Sequence, residues 1–86
     1  MKKYCISYDL NENHKDYDGL ISAIKDYNYI KALYSTWFVK STSSATDIYN
    51  HLQPFIDNDD RLFVVEIDTP NRQGWMSKNV WDWLNN

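Results

Sequence analysis

Cysteine occurs once in this sequence, at Cys5, so no disulfide can form within the chain. That fits a reducing compartment. Glycine is nearly as scarce, with two residues, and no Asn-Gly or Gly-Gly pair marks a tight hairpin. There is no repeat, low-complexity tract or linker. No apolar run approaches the roughly 20 residues that span a bilayer, which predicts no membrane segment. Met1-Lys2-Lys3 leads straight into a strand pattern, so no signal peptide is expected, and the default is a soluble cytoplasmic protein. A dense basic cluster is also missing. The lysines are scattered, net charge is −3 and pI is near 5.1. Tight, non-specific binding to phosphate backbones needs a basic surface, so this balance weighs against it while leaving room for a local patch.

Large aromatics are plentiful: four Trp, seven Tyr and three Phe among 86 residues. A single domain of this length buries only about 60–65% of its unfolded surface, and large aromatics extend a core so limited.

Residues 3–10 alternate as a strand, with Tyr4, Ile6, Tyr8 and Leu10 on one face and Cys5, Ser7 and Asp9 on the other. A polar loop over 11–15 comes next. Tyr17, Leu20, Ile21, Ile24 and Tyr27 recur at helical spacing and predict a helix over 16–28, with Asp16 as N-cap. Residues 30–41 read as extended, either one bent strand or two broken at Ser35-Thr36. Ser44-Ala45-Thr46-Asp47 approximates a capping box, and Ala45, Ile48, Tyr49, Leu52 and Ile56 stripe the helix behind it. Pro54 should end or kink that helix. Residues 57–60 make a turn. Arg61 to Ile67 form the last strong strand, so continuously apolar that cover on both faces is expected.

Residues 68–74 read as a loop. The Trp-rich stretch after it is too apolar to be disordered and predicts a short helix or docked tail. The chain thus divides into a body over 1–70 and a tail over 71–86, docked on the same domain or on a dimer partner. The order β-α-β(β)-α-β matches the ferredoxin-like βαββαβ plan, an α+β sandwich with two helices on one face of an antiparallel sheet. The half-apolar open face invites a partner, and a two-fold homodimer is the commonest solution. Val64, Val65 and Trp75 are its candidate interface residues.

Tyr8-Asp9-Leu10, Leu33-x-Ser35-Thr36-Trp37 and Asp60-Arg61-Leu62-Phe63-Val64 resemble small ferredoxin-like proteins, among them the CRISPR-associated protein Cas-two and virulence-associated protein D. The likeness is strongest to short bacterial and phage proteins labelled "SinR family", a label that implies no tested role. It covers nearly the whole chain through short motifs. The Cas-two resemblance implies a homodimer in which the strand-end acid, Asp9 here, faces its twin and holds one Mg²⁺. It also implies a part in CRISPR spacer acquisition, often without nuclease activity. The likeness to virulence-associated protein D implies an RNA-cleaving toxin.

Asp9 is therefore the candidate catalytic and metal-ligating residue. Mg²⁺ takes one or two carboxylates plus waters, and a dimer would supply two. The plainer alternative is a turn residue that bonds loop amides. Ser7 and Ser35 could bind phosphate on RNA or DNA, or simply fit the pleat. His14 could act as a base near the metal, or be a solvated loop residue. His51 lies off the helix stripe and reads as surface. Cys5 should be buried and inert. Trp75, Trp81 and Trp83 could stack bases, but such sites pair aromatics with a basic groove, so packing is favoured. The acidic 57–60 turn is too short for a calcium loop and lacks its Gly and bidentate Glu. Two function classes result: a Cas-two-like dimeric nucleic-acid-associated protein, either a Mg-dependent endoribonuclease or nuclease or a nucleic-acid binder, and a non-catalytic protein-interaction module of phage or mobile-element type acting through the open sheet face and Trp tail.

Overall fold

The computed structural model describes residues 1–11 and 17–86. The elements run β1 (Lys2–Asp9), α1 (Asp18–Ile24), β2 (Asn28–Leu33), β3 (Thr36–Ser41), α2 (Ala45–Leu52), a 3₁₀ turn (Gln53–Phe55), β4 (Arg61–Glu66) and α3 (Lys78–Asn85). The strands form one sheet in the order β2-β3-β1-β4, and every neighbouring pair is antiparallel. This is an α+β fold. β1 lies inside the sheet, and its alternation divides the molecule. Tyr4 and Ile6 are buried on one face with Trp37 and Val39 of β3, under Leu20, Ala23 and Ile24 of α1 and Ile48 and Leu52 of α2. Two side-chain hydrogen bonds fix this face. The Tyr4 hydroxyl donates to the Ser43 carbonyl at 2.7 Å, and the Trp37 indole N–H donates to the Tyr8 hydroxyl at 3.0 Å.

The extended stretch at 30–41 resolves into two strands joined by Tyr34-Ser35, and the first begins earlier than expected, at Asn28. This hairpin has no glycine, and no described non-glycine residue adopts positive φ. Its pairing instead shifts register between Lys31 and Leu33. An extra residue of this kind increases local twist, which turns other than the primed types do not supply. Helix α1 is shorter than its apolar stripe. It ends at Ile24, and Tyr27 lies in the turn beyond it. The expected cap Asp16 lies outside the described residues. In α2, Ser44 caps as expected, its Oγ accepting from the Asp47 amide at 3.1 Å. Pro54 ends the α-helix by tightening it into the 3₁₀ turn. There Phe55 crosses close over Gly19 of α1, where a Cβ would come within 2.8 Å of its ring.

The second sheet face departs from the expected plan. Helix α3 packs over its β2–β3 half, where Val80 and Leu84 bury Phe38 and cover Ile30 and Ala32. Trp83 stacks on Phe38 with ring centroids 6.4 Å apart, and the Lys40 ammonium sits 4.5 Å from the Trp83 centroid. Arg72 ties this helix down. Its guanidinium donates to the carbonyls of Ile67, Thr69 and Leu84 and to Asn85 Oδ1, each at 3.1 Å. Two of those acceptors lie at the helix C-terminus, where carbonyls lack partners and the dipole favours a cation. Replacing Arg72 by Met keeps the stem and removes the donors. Charged hydrogen bonds contribute about 1.5–3 kcal/mol each when buried, and these are half-exposed, so the loss should total about 2 kcal/mol. Denaturant melts will measure it, and tryptophan emission should shift red as α3 loosens.

Candidate functional site

Asp9 closes β1, lies opposite Arg61 of β4 and is exposed. It stands between two concavities. One is a cleft of about 460 Å³ where Asp9 meets Tyr8, Lys31, Tyr34 and Ser35. The Lys31 ammonium lies 5.5 Å from the Tyr34 ring centroid and 5.7 Å from that of Trp37, so its charge rests on aromatic faces. The other is a shallow depression of about 250 Å³ that joins Asp9 to Ser7, Arg61 and Phe63. Of the expected phosphate-binding residues, Ser7 thus shares one concavity with Asp9 and Ser35 the other. Ser7 Oγ lies 3.5 Å from Thr36 Oγ1 on the neighbouring strand, and the Ser35 carbonyl accepts from the Tyr8 amide at 3.2 Å. His14 lies outside the described residues.

The acidic turn next to this site does more than reverse the chain. Asp60 is buried, and its two carboxylate oxygens accept from the backbone amides of Asn11 and Asp57 at 3.0 and 2.9 Å. Asn11 also donates through Nδ2 to Asp59 at 3.1 Å. The exit of β1 is therefore clamped to the entry of β4. Carboxylate oxygens of Asp57, Asp59 and Asp60 lie within 4.8 Å of one another and could hold a metal ion. An all-oxygen set of this kind suits a hard cation such as Mg²⁺ or Ca²⁺ rather than Zn²⁺.

A second surface stands out on the far side of the sheet. Cross-strand register places Phe63, Ser7, Thr36 and Leu33 in one row on the face that carries Cys5 and Phe38. Helix α3 does not reach this row: Phe63 is 61% exposed and Leu33 52%. The expectation that the last strand is covered on both faces is corrected here. β4 is an edge strand with Val64 packed against the core face, while Val65 and Phe63 lie exposed on the other. The apolar run arises because both faces carry apolar residues, one set buried and the other bare. Between this row and the tail lies an apolar groove of about 300 Å³, lined by Cys5, Phe38, Ile67, Met76, Trp81 and Trp75 among others. Trp75 is 98% exposed, so it does not dock on its own body; Trp81 and Trp83 pack in the second cluster. Burial pushes the Cys5 thiol above its ordinary value of 9.0, in keeping with an inert cysteine.

Two residues that matter carry no distinguishing signal in the sequence. Asp60 reads as one of several turn acids, yet it alone among them is buried. Arg72 sits in a loop, and its partner helix is itself ambiguous before the fold is known. No protein-family model matches the chain, and no solved structure matches it.

This geometry has two measurable consequences. Asp60→Ala leaves two amides without their acceptor and should cost about 1–3 kcal/mol for each that stays buried, whereas Asp9→Asn, at an exposed strand end, should stay within about 0.5 kcal/mol of the parent in chemical denaturation. For Cys5, the folded state holds its proton more tightly than the unfolded chain. That contribution is fully present below pH 9.0 and is lost as pH rises through the higher folded value. At about pH 8, a disulfide-exchange reagent should therefore label the native thiol more slowly than the denatured one, and equal rates would contradict this.

Proposed function

We propose that this chain is a non-catalytic, self-associating interaction module of ferredoxin-like plan, and that the bare half of its second sheet face is the working surface. The strand order β2-β3-β1-β4 supports that plan, because α1 and α2 each connect two strands that flank a third. One observation carries the function. Phe63, Leu33 and Trp75 expose large apolar side chains on the same side of the molecule as an apolar groove, and monomeric proteins rarely leave such a patch bare unless it binds something. The surface row Phe63–Ser7–Thr36–Leu33 carries no charge, which disfavours a nucleic-acid ligand there. Arg72, the charged residue at the groove, is already committed to carbonyl oxygens.

A second reading rests on a different feature. Asp9 at the exit of β1 shares concavities with both Ser7 and Ser35. This supports the resemblance to Cas-two and virulence-associated protein D, in which a Mg²⁺ held by two Asp9 carboxylates of a dimer would position a phosphodiester of RNA or DNA. The acidic net charge and the solvent-facing setting of Asp9 rank it below the first.

Both readings call for a dimer, so sedimentation equilibrium tests the surface that makes it, and a cleavage assay separates the two. The module should be a dimer at about 100 μM, a concentration that detects even micromolar association. Phe63→Arg should shift it to monomer while leaving the melting temperature nearly unchanged, because this side chain is largely exposed in the monomer. A wild-type monomer would reject self-association. Mg²⁺- or Mn²⁺-dependent cleavage of RNA or DNA that repeats across two purifications, and is lost in Asp9→Asn, would favour the second reading.

A further inference from the structure

We propose that the occupant of the apolar groove is Trp75 of a second copy of this chain, exchanged reciprocally across a two-fold axis. The inference rests on the self-association proposed above and names the contact that makes it.

Trp75 stands at the lip of the groove and is 98% exposed, so its indole finds no place in its own chain. The groove is lined by Cys5 and Phe38 from the sheet, by Ile67 just past β4, and by Met76 and Trp81 from the tail. Knob and hole thus occur on one patch. A patch that carries both is self-complementary, and a two-fold operation satisfies both copies at once without leaving an open end for further growth. A groove of about 300 Å³ is at the small end of ligand sites, a size suited to one large side chain rather than to an extended ligand.

Charge and area agree with a second copy. The chain carries a net charge of −3, so two copies repel at long range, and a neutral contact adds no close like-charge pair to that repulsion. The row Phe63–Ser7–Thr36–Leu33 beside the groove is free of charge, the ion pair of Lys2 with Glu66 belongs to the opposite face with Tyr4, and the charges next to the row are the oppositely charged cross-strand pair Asp9 and Arg61. The broad side of the molecule measures 35 × 26 Å, enough for the roughly 800 Å² that each partner buries in a standard interface. Placing Trp75 in the groove would bring the large exposed apolar groups on this face, Phe63 and Leu33, to the contact as well. Tryptophan is also among the residue types most enriched as interface anchors.

The test uses the full chain and two readouts. The first is the dimer dissociation constant of wild type, Trp75→Ala and Trp75→Phe. Trp75→Ala should weaken the dimer at least about 30-fold, the size of an anchor-residue effect, and Trp75→Phe should recover much of it. Neither change should alter the melt of the dilute monomer, because the side chain is almost fully exposed there. The second readout is alkylation of Cys5, the sole cysteine, in the groove lining. Its rate should fall as wild-type concentration rises through the dimer constant, and should not fall in Trp75→Ala. A dimer that Phe63→Arg disrupts but Trp75→Ala leaves intact, with Cys5 equally reactive at all concentrations, overturns the exchange while self-association stands. A wild-type monomer at every concentration overturns both.

Discussion

Every other feature of this fold answers to the placement of β1. It pairs with β3 along one edge and β4 along the other, and so joins the β2–β3 hairpin to the last strand. Its side chains therefore decide what each sheet face can be. Tyr4, Ile6 and Tyr8 point to the side that α1 and α2 cover, while Cys5, Ser7 and Asp9 point to the other. A slip of one residue in either pairing would send a whole apolar set to the wrong face. The Tyr8 hydroxyl and Trp37 indole reinforce the register with β3, and the Asp60 carboxylate reinforces the register with β4 by holding the Asn11 amide just past the strand.

A β1 placed in this way divides the labour unequally between the faces. The first face is closed by two helices and behaves as an ordinary core. The second is closed only in part, by a short helix over Phe38, Ile30 and Ala32 that is held by Arg72 on the Leu84 carbonyl and Asn85 Oδ1 and by Lys40 over Trp83. The tail that supplies this helix also carries Trp75 past the groove without burying it. The functional candidates inherit this asymmetry. Asp9 lies at the exit of β1 beside the acidic turn, and the row Phe63–Ser7–Thr36–Leu33 lies next to it, at the β2–β3 hairpin end of the half-covered face.

Much of this is legible in the sequence. Strict alternation in β1 and helical spacing around Leu20, Ile24, Ile48 and Leu52 mark the core, because those positions can be buried only one way. The Ser44 cap and the Pro54 stop are local chemistry and need no tertiary information. The boundaries of α1 are less legible, since Tyr27 falls at helical spacing yet packs from a turn. The hairpin at Tyr34-Ser35 is ambiguous in sequence because its twist comes from a register shift rather than from glycine. The second face is least legible. An apolar strand reads the same whether both faces are buried or one is bare, and only the strand order shows β4 to be an edge. Asp60 and Arg72 are hidden for a related reason: their partners are backbone groups brought near by the fold.

If the uncovered row and the Trp75 groove are where this protein meets its twin, an amide and indole ¹H–¹⁵N correlation spectrum recorded through a dilution series will show it most directly. Concentration-dependent shifts should centre on Cys5, Leu33, Phe63, Val65 and the Trp75 indole, with the α1–α2 side unmoved. Shifts centred instead on Asp9, Asn11 and the 57–60 turn, or a spectrum that does not change with concentration, would contradict it.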